Sequence, residues 1–358
     1  MSGIFQTQNK IKSMLKLTLL INSLMLLIIS YTSAQTAAPK YKIANTFSIK
    51  GDGPWDYLVS DDVTSRLFVS HGGITQVVDS KTGELLGTIP NTKGVHGITI
   101  DQIDQKAFIS CGRDTSVSIV DLSSFELLSK VKVTGVNPDA ILYDKFSNKV
   151  FVFNGRSGNV TVIDVPTESV DSTTINLSGK PEFAVTDGKG KIYVNIEDKN
   201  LVAVIDAKAL TVINEWSLAP GTGPSGLALD NVTHRLFSVC DNKMMVILNA
   251  TNGNFIDTVA IGGSPDGCVF DPVSKRAFSS NGEGTVTVVQ EDKGDKFRVL
   301  TTIDTHKNAR TICIDAKTHH LFLPYAEYGE TPAATKTTPN PKAALKPGTF
   351  TILDIAPI

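Results

Sequence analysis

Asp139, Glu182 and Asp266 each follow a proline directly at the start of an apolar run, and His96 and Arg310 hold the matching place in two other runs. Ser225 fills it once more, and in the first run it falls on Trp55 or Asp56. If the runs are equivalent strands of one repeating unit, these side chains converge. Converging carboxylates with one histidine and one arginine suit a hard divalent cation or an amine, because oxygen donors satisfy either. They do not suit a phosphate backbone, which needs clustered Lys and Arg. A second set lies in the loops after the next run of each unit: His71, Asn154 with Arg156, Asn195 with Glu197 and Asp198, Asn281 with Glu283, and Glu327. His71 and His96 belong to neighbouring units and form the one histidine pair expected to serve as ligands or proton carriers. His234, His319 and His320 fall in turns of the opposite face and are expected to be solvated.

The elements that position these residues are repeats. Asp101, Asp144, Asp187, Asp230, Asp271 and Asp315 each end an apolar run, at intervals of 43, 43, 43, 41 and 44 residues. Pro138, Pro181, Pro224 and Pro265 keep the same period, and so do Asp79, Asp121, Asp164 and Asp206. Each unit reads as four short strands. In one of them these are "NPDAILYD", "VFVFNG", "VTVID" and "TTINLSG", rich in Val, Ile and Phe and bounded by Gly, Asp, Asn and Ser. Four antiparallel strands at a 40–45-residue period describe a propeller blade. First strands open near Pro54, Val95, Pro138, Pro181, Pro224, Pro265 and Ala309, which predicts an all-β, seven-bladed propeller. The last unit lacks a fourth strand, and "YKIANTFSIKG" at 41–51 has the look of one, so this N-terminal strand is expected to close the last blade. The propeller spans residues 41–358.

In this topology the openers of the first strands and the loops after the second strands share one face. The ligand-binding candidates on that face are therefore Asp56, His71, His96, Asp139, Asn154, Asn195, Glu182, Asp266, Asn281 and Arg310, around an acidic channel mouth. Asp and Asn also cap turns through their own backbone, so the same types serve structure. The aspartates that end the strands belong to that second use. Residues 329–348, "GETPAATKTTPNPKAALKPG", lack a core pattern and read as a flexible, tolerated insertion in the last blade, with a lid or docking arm over the mouth as the alternative.

Lys10, Lys12 and Lys16 precede an apolar run from Leu17 to Ile29 and then Thr32-Ser33-Ala34, the pattern of a secretory signal cut after Ala34. Residues 35–40 read as a flexible leader, and the protein is expected to be periplasmic or secreted. The net charge of −2 offers no global field for nucleic acid. The four cysteines, Cys111, Cys240, Cys268 and Cys313, form no C-x-x-C or C-x-x-C-H arrangement, which removes an attached c-type haem and a paired-Cys zinc site. They are expected to be buried thiols, with one disulfide as the alternative in an exported chain.

The segments "WDYLVSDDVTSRLFVSHG", "FNGRSGNVTVID", "KPEFAVTDGKGKIYVNIEDKN" and "FSSNGEGTVTVV" resemble the YVTN-repeat, YncE-like family of exported bacterial propellers, over about residues 41–358. The resemblance implies the propeller fold and carries the family's "DNA-binding" label, which the acidic mouth does not support. It supplies no catalytic residue. Three functions follow. The first is a binding or scaffold module for a small molecule or protein, working as a monomer. The second is a lactonase-type hydrolase, with Glu182, Asn154, Asn195 and Asp266 holding a divalent cation that polarises a carbonyl. The third is a propeller holding haem or quinone non-covalently.

Overall fold

The computed structural model describes residues 40–335 and 337–358. The expected secretory signal, and residues 35–39 of the expected leader, lie outside the described residues. Seven four-stranded antiparallel sheets follow one another along the chain. The innermost strands are Trp55–Asp61, Val95–Asp101, Pro138–Asp144, Pro181–Thr186, Pro224–Asp230, Pro265–Asp271 and Cys313–Ile314. The last sheet orders Cys313–Ile314, Leu321–Tyr325, Thr351–Pro357 and then Tyr41–Ser48. Tyr41 pairs with Pro357 and Ser48 with Thr351, so the N-terminal strand completes blade 7 as its sequence predicts. Among the described residues no helix is long and apolar enough to cross a membrane.

The second and third strands of each blade are buried on both faces, because neighbouring blades stack against each side of the sheet. Phe151, Phe153 and Val162 of blade 3 pack on Ile192, Val194 and Ile196 of blade 4. The seam between blades 7 and 1 is filled by Phe47, Trp55, Leu67, Phe322, Phe350 and Ile352. The outer strands expose most of their residues, as at Ser169–Asn176.

The periodic aspartates cap turns. Asp61 Oδ1 accepts from the Val63 N–H at 3.1 Å, and Asp230 Oδ1 from Val232 at 2.7 Å. The turns close with a residue in the left-handed region, such as Ser65 (φ 58°), Gln105 (54°) and Asn148 (52°). In the outer turns the Ser123 hydroxyl and the N–H groups of Ser124 and Ser123 hold the Asp121 carboxyl down at about 2.

Two turn histidines differ from expectation. His319 Nδ1 lies 3.1 Å from Asp271 Oδ1, and His320 Nδ1 lies 2.6 Å from Asp354 Oδ1. Each meets a buried aspartate, and only His234 stays exposed as predicted. All four cysteines are free and buried.

Candidate functional site

Each of the first six innermost strands opens with a register slip against its neighbour, between Trp55 and Leu58, Val95 and Ile98, Pro138 and Ile141, Pro181 and Ala184, Pro224 and Leu227, and Pro265 and Gly267. A bulge leaves the inserted residue out of the ladder and re-aims its side chain. Asp56, His96, Asp139, Glu182, Ser225 and Asp266 occupy these bulges, and Arg310 takes the equivalent place ahead of the short strand of blade 7. The alternative between Trp55 and Asp56 is thereby settled: Trp55 is buried against Phe350, and Asp56 joins the ring.

Blade-to-blade hydrogen bonds hold the bulges. The Ser110 hydroxyl accepts from Gly97 N–H at 2.8 Å and donates to Asp139 O of the next blade at 2.5 Å. Ser225 Oγ donates to Pro265 O at 3.1 Å, Ser280 Oγ to Arg310 O, and Thr311 Oγ1 to Asp56 O at 2.7 Å. The last of these joins blade 7 to blade 1.

Within the ring His96 Nδ1 lies 2.7 Å from Asp56 Oδ2 and 3.7 Å from Asp139 Oδ1. One donor atom from each of these three residues falls within 4.8 Å of the others, the only such group of three metal-type donors among the described residues. Arg310 pairs with Asp266. Lys180 Nζ lies 2.5 Å from Glu182 Oε1 and also pairs with Glu197. Negative charge is crowded and partly desolvated here. Burial pushes Asp266 up to about 6 against the pull of Arg310, with Asp56 and Asp139 adding to the rise. Burial is also the largest cause raising Asp139 and Glu182; Asp56 adds to the first against His96, and Asp139 adds to the second against Lys180. Burial lowers His96, but the bond to Asp56 and the charges of Asp139, Asp56 and Glu182 outweigh it, and the net shift is upward.

Below the ring the channel is crossed by two aromatic side chains. Tyr57 of blade 1 and Phe183 of blade 4 meet with ring centroids 5.5 Å apart. Burial first, then the carboxyls of Asp139, Asp56, Glu182 and Asp266, push the Tyr57 phenol well up.

The structure therefore brings together Asp56, His96, Asp139, Glu182, Asp266 and Arg310. It does not bring the other four candidates to them. His71 is 1 % exposed, stacks on Phe350 at 3.9 Å, and has Nδ1 2.7 Å from Gln76 Oε1. The proposed pairing of His71 with His96 is absent. Asn154 donates to Asn159 Oδ1 and Thr161 Oγ1, and Asn281 to Thr285 Oγ1 and Thr287 Oγ1, inside their own sheets. Asn195 donates to Ser225 O at 2.9 Å and Gly226 O at 3.1 Å and accepts from Ser238 Oγ, which makes it a clip between blades 4 and 5. Ring members missed in the sequence are Lys180, which lies before its strand, and the Tyr57–Phe183 pair. The signal for the pair was present: the other blades hold Gly97, Ala140, Gly226, Gly267 and Thr311 at that position.

The segment 329–348 is tied down at its base. Tyr328 bridges to Leu345, Gly329 N–H donates to Ala344 O at 2.8 Å, and Gly348 N–H donates to Asp52 Oδ1 at 3.2 Å. Its stem packs on blade 1 beside His71 and Phe350.

No protein-family model and no curated protein matches the chain. Solved structures do. A chain of Kuenenia stuttgartiensis hydrazine synthase aligns with a TM-score of 0.68 at 15 % identity, covering 83 % of this chain and 97 % of that one. A chain of the mitotic checkpoint complex aligns with a TM-score of 0.69 at 13 % identity, covering 91 % and 94 %. At such identities the likeness is one of fold, the seven-bladed propeller.

Proposed function

We propose that this chain is an exported binding propeller whose acidic channel mouth receives a small cationic ligand. One observation carries the reading. Asp56, Asp139, Glu182 and Asp266 converge on one half-buried ring and, among the described residues, face only His96, Lys180 and Arg310 as cations, with Lys180 shared by Glu197. A cation entering this ring relieves repulsion between groups already removed from water. A nucleic-acid phosphate would meet the opposite field. The seven-fold repeat with its YVTN-like segments supports a place among the YncE-like propellers, and the basic and apolar N-terminal pattern supports export.

A second reading, a bound divalent cation, is favoured by the Asp56, His96 and Asp139 donors gathered within 4.8 Å. The lactonase-type reading has less behind it, since Asn154 and Asn195 spend their amides inside and between sheets.

The test is thermal unfolding with a panel of divalent metal salts and of alkylammonium salts. A ligand at one hundred times its Kd adds about 2.7 kcal/mol of stability. The expected result is a rise in Tm with at least one cation, lost in the Asp139→Asn, Glu182→Gln double variant. No shift with any cation of either kind would overturn the proposal.

A further inference from the structure

Tyr57 and Phe183 divide the channel into two compartments of opposite character. Above them is the charged ring. Below them lies a chamber of about 230 Å³ walled by Leu58, Ile98, Ala140, Ala184, Val269 and Ile312 among others. An apolar cavity of about 150 Å³ is enough to hold benzene, so this chamber accommodates an aromatic ring or a chain of about six carbons.

Between ring and chamber there is little free space. Beside the aromatic pair, bounded by Asp266, Gly267, Thr311 and Ile312, is a void of about 10 Å³. That is close to the least space a single water needs. A molecule larger than water entering there would have to turn the rings aside. The matching positions in the other five blades carry Gly97, Ala140, Gly226, Gly267 and Thr311, so no other side chain there is large enough to cross the channel. The obstruction rests on two side chains that turn about their own bonds, while the backbone around them is fixed by the blade-to-blade hydrogen bonds.

We infer that the channel takes an amphipathic amine, with its ammonium group among the ring carboxylates, its hydrocarbon part in the chamber below, and Tyr57 and Phe183 as the gate between them. The charged ring adjoining the chamber selects this occupant: a neutral hydrocarbon gains nothing from the carboxylates, and a fatty acid is repelled by them. The aromatic faces at the gate add cation–π attraction to an ammonium held just above. This inference rests on the cationic-ligand reading of the mouth and specifies what kind of cation it admits.

Calorimetric titration of the full chain with methylamine, butylamine, hexylamine and hexanol tests it. Affinity is expected to rise about three- to fourfold per added methylene from butylamine to hexylamine, as for groups leaving water. Hexanol should bind at least about tenfold more weakly than hexylamine, for want of the charge-assisted bond. Val269→Phe fills the chamber and should make hexylamine bind no better than methylamine. Val59→Phe, on the same wall, serves if the first variant does not fold. Phe183→Leu should speed hexylamine association, measured by stopped flow. Equal affinity for methylamine and hexylamine in the unmodified protein would confine the ligand to the mouth and overturn the chamber, leaving the mouth reading intact. Failure of every amine to bind would overturn the inference, and the mouth reading falls with it only if divalent cations also leave Tm unmoved.

Discussion

His96 of blade 2 reaches Asp56 of blade 1 at 2.7 Å and Asp139 of blade 3 at 3.7 Å, so a single imidazole bridges three blades at the channel mouth. Its pKa is raised above the ordinary 6.5 because the neighbouring carboxylates outweigh burial. The sign of the linkage follows: the stabilisation is fully present below the unfolded value and is lost as pH climbs through the raised folded value. An NMR titration of the His96 ring should give a pKa above 6.5, and Asp56→Asn should lower it. An identical titration in the variant would mean the pair does not form in solution.

The raised carboxyls act in the same direction. Asp266, pushed up to about 6 by burial, keeps a proton that the unfolded chain has already released above its usual 3.8. The folded state therefore loses stability as pH rises between those values, by an amount on the order of 3 kcal/mol for a shift of this size. The capped turn aspartates, lowered by hydrogen bonds, lose their contribution only in more acid solution. Tm should be highest near pH 4 and fall towards pH 8, with the slope reduced in Asp139→Asn. A Tm that climbs steadily from pH 5 to pH 8 would contradict the crowded ring.

Asn195 looks like a ligand residue in the sequence and is a clip in the structure. Replacing it with Ala strands the carbonyls of Ser225 and Gly226 and the hydroxyl of Ser238. The cost should be about 2–3 kcal/mol in urea unfolding, from buried polar groups left unpaired. Cation affinity should stay within about twofold, since no atom of Asn195 reaches the ring; a larger loss of affinity with stability retained would return it to the site.

The four cysteines are free and buried, and burial raises the thiols of Cys111, Cys240, Cys268 and Cys313. A thiol reagent should be inert towards the folded protein and find all four in urea. Fewer than four after unfolding without reductant would indicate a disulfide.

The blade count was legible because turn-capping aspartates recur wherever a side-chain oxygen must accept backbone N–H groups, and the strand-opening prolines keep the same period. The ring openers Asp139, Glu182 and Asp266 were legible because a proline marks each strand start. The residues that end the second strands were not. His71, Asn154 and Asn281 stand at equivalent positions, and which side of the sheet they face is set by pairing and stacking rather than by residue type. Lys180 was hidden for a related reason: its reach to both Glu182 and Glu197 depends on how a loop folds back.

The ladder between Tyr41–Ser48 and Thr351–Pro357, continued by the Ile358 N–H donating to Lys40 O at 2.7 Å, joins segments from opposite ends of the described chain. Every other sheet pairs strands that are near neighbours in sequence and can form early, whereas this contact must wait for the longest loop to close. It is the step at which seven locally built sheets become a single cooperative object. Peeling away eight residues would undo that step, so a pulling force or a protease that frees the first strand acts on the whole circle at once.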